Sequence, residues 1–396
     1  RCVVDAATGI DVEQPSCDIG VIDLAALLVF YIMHTAERAA VAQRLPLGSR
    51  HIGQRFAFPK WLRHRPLLYD TCGPTRNFQM RAVFLDWATM GPGLDTGALR
   101  ALLPELEIFD VTDDHQVAAR IKDAQFVLAN KVRLTDELLA QSPGLRFIGL
   151  TATGTDNVNL EAAQRHGVAV CNIRAYCNQS VAEHVFACLL NLTHSIAQYV
   201  RDVRAGEWQK SDDFCLLTHP IRELSAMTLG IVGYGELGKT VATFGASLGM
   251  DVIVSARPGA SDAKNGRVLF EDLLRRADVI SLHCPLNDDT RSLFSAGEFA
   301  RMKRGAILIN TARGGLIDSQ ALVDALRAGE IAAAAVDVLP KEPPVHGDPL
   351  LDYVGNNLML TPHIAWASNE ARQAAIDELA ENIAAYLQGL NRNRVV

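Results

Sequence analysis

The chain has 396 residues, 49% of them hydrophobic and 21% charged, with a formal net charge of −7 at pH 7. That is enough apolar material for two domains with cores of their own, and a mildly acidic chain gains nothing from counterion release on DNA or RNA, which excludes nucleic acid as a partner. The eight cysteines, Cys2, Cys17, Cys72, Cys171, Cys177, Cys188, Cys215 and Cys284, show neither zinc-ligand spacing nor the density of a disulfide framework, and read as reduced thiols of a cytoplasmic protein.

The first 79 residues differ from the rest. They hold nine bases against seven acids, a net of +2, whereas residues 80–396 carry −9. The stretch RHIGQRFAFPKWLRHRP has no helical or strand period. The apolar run Leu24–Met33 is about half the twenty or so residues needed to cross a bilayer. It lacks the basic lead and the small-residue cleavage site of a secretory signal. Residues 1–79 are therefore expected to be a non-native or disordered extension, the alternative being a genuine extra subdomain. No membrane association is expected.

From Met80 short apolar strands alternate with amphipathic helices. MRAVFLD, ELEIFDV, FVLAN, LRFIGLTA and VAVCNI read as strands. GALRALLPEL, HQVAARIKDA, LTDELLAQSP and NLEAAQRHG between them read as helices. The pattern predicts a parallel sheet covered on both faces. A long helix is predicted from Ser180 to about Ala205, on the spacing of Val185, Cys188, Leu189 and Leu192. A second α/β series begins near Met227, with strands at TLGIV, DVIVSA, ADVISLHCP, GAILINTA, IAAAAVDVL and NLMLTPHIA. A terminal helix over Asn369–Leu387 follows and is expected to pack back on the first domain. The fold class is α/β with two doubly wound parallel-sheet domains.

The turn Gly233-Tyr-Gly235-Glu236-Leu237-Gly238 is a G-x-G-x-x-G that follows an apolar strand and opens a helix. In that setting it is a dinucleotide fingerprint. Gly233 permits the tight turn, Gly235 lets the backbone reach a pyrophosphate, and Gly238 lets helix and strand approach. The N–H groups at the helix start, from Glu236 onward, attract the phosphates. An acidic residue normally follows about twenty residues on, to hold the adenine ribose. Here the next strand ends in Ser255-Ala256-Arg257. Arg257 can pair with a 2′-phosphate, favouring NADP or dual use, or merely stack on adenine while NAD binds; both readings stand. The sequence Gly245-Ala-Ser247-Leu-Gly249 matches the G-x-S-x-G of serine hydrolases, but its serine ends a helix and precedes a strand, the reverse of the elbow that motif needs.

Three motifs close later strands of the second series, where ligands of open α/β sheets bind. Asn310-Thr311-Ala312-Arg313-Gly-Gly places a guanidinium after a strand, suited to a bidentate grip on a carboxylate. Asp337-Val-Leu-Pro-Lys-Glu342-Pro-Pro carries a carboxylate in a proline-stiffened loop. Thr361-Pro-His363-Ile-Ala carries an imidazole. Reducing a 2-keto acid requires a hydride at the carbonyl carbon and a proton at its oxygen, and histidine is the natural donor near neutral pH. A neighbouring carboxylate orients such a histidine and favours its charged form. Arg313 is thus expected to orient the substrate, His363 to donate, and Glu342 to tune His363.

NTARGG, DVLPKEPP and TPHIA in this order resemble the D-isomer-specific 2-hydroxy-acid dehydrogenases, a likeness that runs from Met80 to the last residue. The resemblance implies a flavodoxin-like substrate domain built from both ends of the chain, residues 80–179 with 364–396. It implies a Rossmann cofactor domain at 180–363 and a homodimer. Thr153-Gly154-Thr-Asp-Asn is similar to the family's substrate loop, whose amides would bind the substrate carboxylate. Ser180-Val-Ala-Glu183-His184 is similar to the start of the interdomain helix. Cys284, Pro285, Thr311, Ala312 and Asp337 would line the nicotinamide side. MRAVFLDWATMGPG, Asn130-Lys131-Val132 with Lys131 toward the substrate, and HIAWAS with Trp366 resemble most the glycerate dehydrogenases, also called hydroxypyruvate reductases. The implied reaction is reversible reduction of hydroxypyruvate or glyoxylate with NAD(P)H. The alternatives are a phosphoglycerate or D-lactate type, or a non-catalytic NAD(P)-sensing relative like the co-repressors. Formate dehydrogenases of the family have Gln where this chain has Glu342. Ala256 departs from the NAD-specific pattern and leaves the coenzyme open.

Overall fold

The computed structural model describes residues 80–396. The expectations for residues 1–79, the Leu24–Met33 run included, lie outside the described residues.

The first half builds one parallel sheet. Its strands are β1 (Ala82–Phe84), β2 (Leu106–Ile108), β3 (Phe126–Ala129), β4 (Phe147–Leu150) and β5 (Ala169–Cys171), in the order β2-β1-β3-β4-β5. Helices α1 (Gly97–Leu102), α2 (Asp114–Ile121), α3 (Asp136–Ala140) and α4 (Leu160–Arg165) make the crossovers. Every residue of β1, β3, β4 and β5 is buried, which is why these strands read as unbroken apolar runs rather than alternations.

Next comes helix α5 (Asn178–His194), followed by α6 (Ile196–Arg204). The single helix predicted over this stretch is two. Ser195 between them adopts φ 52°, in the left-handed region, and its hydroxyl donates to the Pro220 carbonyl at 2.8 Å. A partner 25 residues away in sequence thus ends α5, and no local period records it.

The second sheet contains β6 (Thr228–Val232), β7 (Asp251–Val254), β8 (Val279–Leu282), β9 (Ile307–Asn310), β10 (Ala333–Val336) and β11 (Leu358–Leu360), in the order β11-β10-β9-β8-β6-β7. Helices α7 (Glu236–Ser247), α8 (Phe270–Arg276), α9 (Ala296–Phe299) and α10 (Ser319–Ala328) connect them. Val268 forms a one-residue parallel bridge with Ser255 beyond β7. Counted as a vestigial third strand, it turns the order into the 3-2-1-4-5-6 of dinucleotide-binding sheets, with one strand more at the far edge.

Helix α11 (Asn369–Leu387) follows the second sheet but packs on the first. Ala375, Ile376, Leu379, Ala380 and Ile383 share a core with Phe84, Phe126 and Phe147. Gly149 on β4 admits it, since a Cβ there would lie 2.5 Å from Leu379 Cδ1. The last residues run antiparallel beside β5, with Val395 N–H donating to Val170 O at 2.7 Å. Among the described residues no helix is long and apolar enough to cross a membrane.

Candidate active site

Both sheets have a point where the strand order reverses, and ligand crevices form there, beyond the carboxyl ends of the strands. In the second sheet the point lies between β6 and β8. Gly233, at φ 93°, turns the chain off β6, and a Cβ on it would meet Cys284 N at 2.5 Å. The glycine turn therefore touches the start of the Cys284-Pro285 segment. A Cβ on Gly238 would sit 2.1 Å from the Gly233 carbonyl oxygen, so only glycine lets α7 begin this close to β6. Beside Gly235 nothing lies within 4 Å of the Cβ position, which leaves open space at the start of α7. There the N–H groups of Glu236, Leu237 and Gly238 lie in the first turn, without intrahelical acceptors. Tight backbone on two sides and room over the helix start suit a pyrophosphate, so the residues present fit a dinucleotide. The Thr311 hydroxyl is buried without a partner among the described residues and offers a further polar contact beyond β9.

At the end of β7, Ser255 and Ala256 are buried and Arg257 is exposed. The Ser255 hydroxyl donates to the Ala256 carbonyl at 2.6 Å. The carboxylate that would hold ribose hydroxyls is replaced here by a small side chain and an exposed guanidinium.

Further along the same edge the three motifs converge. His363 Nδ1 lies 2.6 Å from Glu342 Oε2. The other carboxylate oxygen, Oε1, accepts the Leu339 N–H at 2.8 Å. Burial opposes the charge on Glu342, but the bonds from His363 and Leu339, with the Lys131 charge, outweigh it and hold the carboxyl below the usual glutamate range. His363 itself stands at φ 57°, a conformation that costs a non-glycine residue on the order of 1–3 kcal/mol and needs support. Its N–H donates to the Asp337 carbonyl at 2.8 Å, and its carbonyl accepts the Trp366 indole N–H at 3.0 Å.

Asp337 supplies most of that support. Its side chain, 1% exposed, faces into the protein. Oδ1 accepts the Thr361 hydroxyl at 2.5 Å and the Ile364 N–H at 2.9 Å, and Oδ2 accepts the Ala365 N–H at 2.9 Å. His184 on α5 joins this knot through Thr361, with Nε2 and Oγ1 3.2 Å apart. The Asp337 carboxylate thus holds the histidine loop in shape.

Arg313 leaves β9 in a loop fastened by Asn310, which donates to the Arg313 carbonyl at 2.9 Å and accepts the Ala312 N–H at 3.0 Å. The Arg313 guanidinium reaches the first sheet: its Nη2 stands 2.9 Å from where a Cβ on Gly154 would be. Residues 153–156 and Arg313 are thus brought together. Lys131, after β3, faces the same space. Loss of water around it, then the Arg313 charge, hold its ammonium below the usual lysine range, against the pull of Glu342, Asp86 and Asp156, although by surface area the residue is exposed. A carboxylate, an imidazole, a guanidinium and an ammonium therefore share one crevice, beside a dinucleotide turn. This set can bind an anion and pass it a proton.

Sequence reasoning assigned no part in the site to Asp86, His184 or Trp366, and took Asn157 only as the end of the substrate-loop motif. Asp86 ends a strand, a signal that the rule used for the second sheet would have caught in the first. The contact of His184 with Thr361 is tertiary and leaves no local mark, whereas Trp366 bonds His363 only three residues away.

The family described as D-isomer specific 2-hydroxyacid dehydrogenase, NAD binding domain, matches residues 186–365. The chain is 43% identical over 282 residues to a glycerate dehydrogenase of Methylorubrum extorquens, covering 71% of this chain and 88% of that protein. It is 37% identical over 317 residues to a hydroxypyruvate reductase of Blautia hydrogenotrophica, covering 78% and 98%. Among solved structures it is similar to D-lactate dehydrogenase from Aquifex aeolicus complexed with NAD and lactic acid, with a TM-score of 0.66 at 29% identity, covering 78% of this chain and 96% of that one.

Proposed function

This chain belongs to the D-isomer-specific 2-hydroxyacid dehydrogenase family, and on that premise we propose that it reduces hydroxypyruvate or glyoxylate, with Arg313, Glu342 and His363 carrying the chemistry. It is an NAD(P)-dependent oxidoreductase that converts 2-keto acids to D-2-hydroxy acids. The observation that carries the assignment of residues is the 2.6 Å contact between His363 and Glu342, in a crevice where Arg313 meets the Gly154 loop.

The reduced nicotinamide, when bound, supplies the hydride to the carbonyl carbon. Arg313 grips the substrate carboxylate with two parallel N–H donors and fixes the carbonyl beside it. The amides of Thr153 and Gly154 face the same group. His363 bonds Glu342 through Nδ1, which leaves Nε2–H for the carbonyl oxygen. As charge develops on that oxygen the Nε2 proton moves to it, and the neutral imidazole keeps its Nδ1 proton on Glu342. Glu342 stabilises the charged imidazole before transfer and fixes its orientation throughout. Residues 80–179 with 364–396 form the substrate domain, and 180–363 the cofactor domain. Cys284, Pro285, Thr311 and Ala312 line the nicotinamide side, and Asp337 shapes it from behind.

Arg257 and the small Ala256 favour NADPH or use of both coenzymes, because nothing acidic repels a 2′-phosphate there. The enzyme works in the cytoplasm as a homodimer. Support for the dimer comes from α6, which buries no residue. Ile196, Val200 and Val203 are exposed and, at that spacing, share one helix face. Phe214 and Leu217 nearby in sequence are 91% and 81% exposed. Apolar side chains exposed in such number call for a partner, and a second copy using the same surface closes the pair by two-fold symmetry.

The test is a panel of hydroxypyruvate, glyoxylate, pyruvate and phosphohydroxypyruvate with each coenzyme. Hydroxypyruvate or glyoxylate should give the highest kcat/KM. A preference for phosphohydroxypyruvate or pyruvate would replace this substrate, and no turnover with any of them would overturn the assignment.

A further inference from the structure

The first sheet has its own reversal point, between β1 and β3, and one buried carboxylate spans it. Asp86 follows β1 and is 5% exposed. Its Oδ1 accepts the Asn130 N–H at 2.8 Å, and its Oδ2 accepts those of Lys131 and Val132 at 2.6 Å and 3.1 Å. Three successive amides after β3 thus close on one side chain from the neighbouring strand. Burying a carboxylate is costly unless it is hydrogen-bonded, and these three amides compensate it while fixing the loop.

The same loop is held from its other side. Asn157 donates to the Val132 carbonyl at 3.0 Å and reaches that of Asn130 at 3.4 Å. Leu134 N–H donates to the Asn157 carbonyl at 2.8 Å. Thr89 accepts the Asn130 side-chain amide at 3.0 Å. Asn157 lies in the segment whose Gly154 abuts Arg313. The clamp therefore ties the loop bearing Lys131 to the loop that faces Arg313, at the place where an open sheet receives its ligand.

We propose that Asp86 is a positioning residue: it clamps the Asn130–Val132 loop so that Lys131 stands beside Arg313 as a second cation for the anionic end of the substrate. The proposal rests on the reading of this crevice as a 2-keto acid site. Lys131 touches the substrate; Asp86 acts only through Lys131. Asp86 also lends its negative charge to the ammonium it positions.

A double-mutant cycle tests this, using the 2-keto acid that the enzyme turns over best. Lys131→Met should raise KM about tenfold or more, the worth of one charge-assisted bond, with the nucleotide Kd unchanged. Asp86→Asn keeps the shape but faces amide donors with an amide, and should raise KM roughly three- to tenfold, a fraction of the Lys131 effect. In the Lys131→Met background, Asp86→Asn should raise KM no further, because residues acting as one unit are not additive. The cycle is read a second way through the rise in Tm that oxamate, an unreactive 2-keto acid analogue, gives the nucleotide-bound protein, which needs no turnover. If the wild type turns over no 2-keto acid, the substrate reading fails while this second reading still decides the clamp. Equal effects of Asp86→Asn with and without Lys131, or no effect of Lys131→Met, would overturn the proposal. If Asp86→Asn does not fold, Asn157→Ala takes its place in the cycle with the same expectations.

Discussion

Replacing Glu342 with glutamine removes one charge and keeps the shape of the side chain. The glutamine oxygen can still accept the Leu339 N–H, now made at 2.8 Å, but the 2.6 Å contact with His363 Nδ1 loses its charged acceptor. Both side chains of the pair are 33% exposed, so water screens part of the attraction. A hydrogen bond to a charged group is worth about 1.5–3 kcal/mol, and exposure places this one near the lower figure. At about 1.4 kcal/mol per decade of rate, kcat for keto-acid reduction should fall roughly tenfold, and by no more than about a hundredfold. The nucleotide Kd should not move, because the Glu342 carboxylate bonds His363 and Leu339 and not the glycine turn. The sign of the pH dependence follows from the carboxyl being held below the usual range. The stabilisation from the pair is complete above the ordinary glutamate range, about pH 4.3, and is lost as pH falls through the depressed value. The wild type should therefore keep its pair to a more acidic pH than a free glutamate would allow, and the glutamine variant should show no such limb. Initial rates of reduced-nicotinamide oxidation across pH supply the measurement. A variant within twofold of wild-type kcat at neutral pH, with an unchanged profile, would refute the role given to Glu342.

Arg313→Ala should raise KM for keto acids about a hundredfold, the loss of a bidentate grip, with the nucleotide Kd unchanged; saturation curves and a nucleotide fluorescence titration separate the two. Gly238→Ala drives a methyl into the Gly233 carbonyl, 2.1 Å from the Cβ position. It should weaken nucleotide binding by more than about tenfold, and an unaltered titration would contradict the cradle. Leu379→Ala empties a fully buried site between α11 and the first sheet. It should cost about 2–5 kcal/mol in denaturant unfolding while nucleotide affinity stays as it was.

What could be read in advance was whatever local pattern controls. Five strands of the first sheet and six of the second stand at the predicted runs; the inner strands are apolar because both faces are covered, while β2, β7 and β11, at the sheet edges, are only partly buried. They are shorter than the runs. MRAVFLD yields a strand of three residues, since Leu85 makes one more ladder bond, to Leu128 at 3.0 Å, and Asp86 then turns its side chain to the next loop. Helices α8, α9 and α10 escaped separate notice in the sequence, α9 being only four residues long. The break at Ser195 depends on Pro220 and cannot be seen from helical spacing. At the site, Arg313, Glu342 and His363 were legible because each follows a strand in a motif of known kind. The residues that hold them were not: Asp337 is engaged by Thr361, Ile364 and Ala365, more than twenty residues on, and His184 meets Thr361 across 177 residues. Such partners are chosen by the fold, not by spacing.

The central assignment is His363 as proton donor. Its measurement is the kcat of His363→Ala with the best keto acid, taken alongside the nucleotide Kd of the same preparation. The kcat should fall about 10²- to 10⁴-fold, the range for a lost general acid, with a Kd within about twofold of wild type. A kcat near wild type, or a nucleotide affinity that falls as far as kcat does, would contradict it.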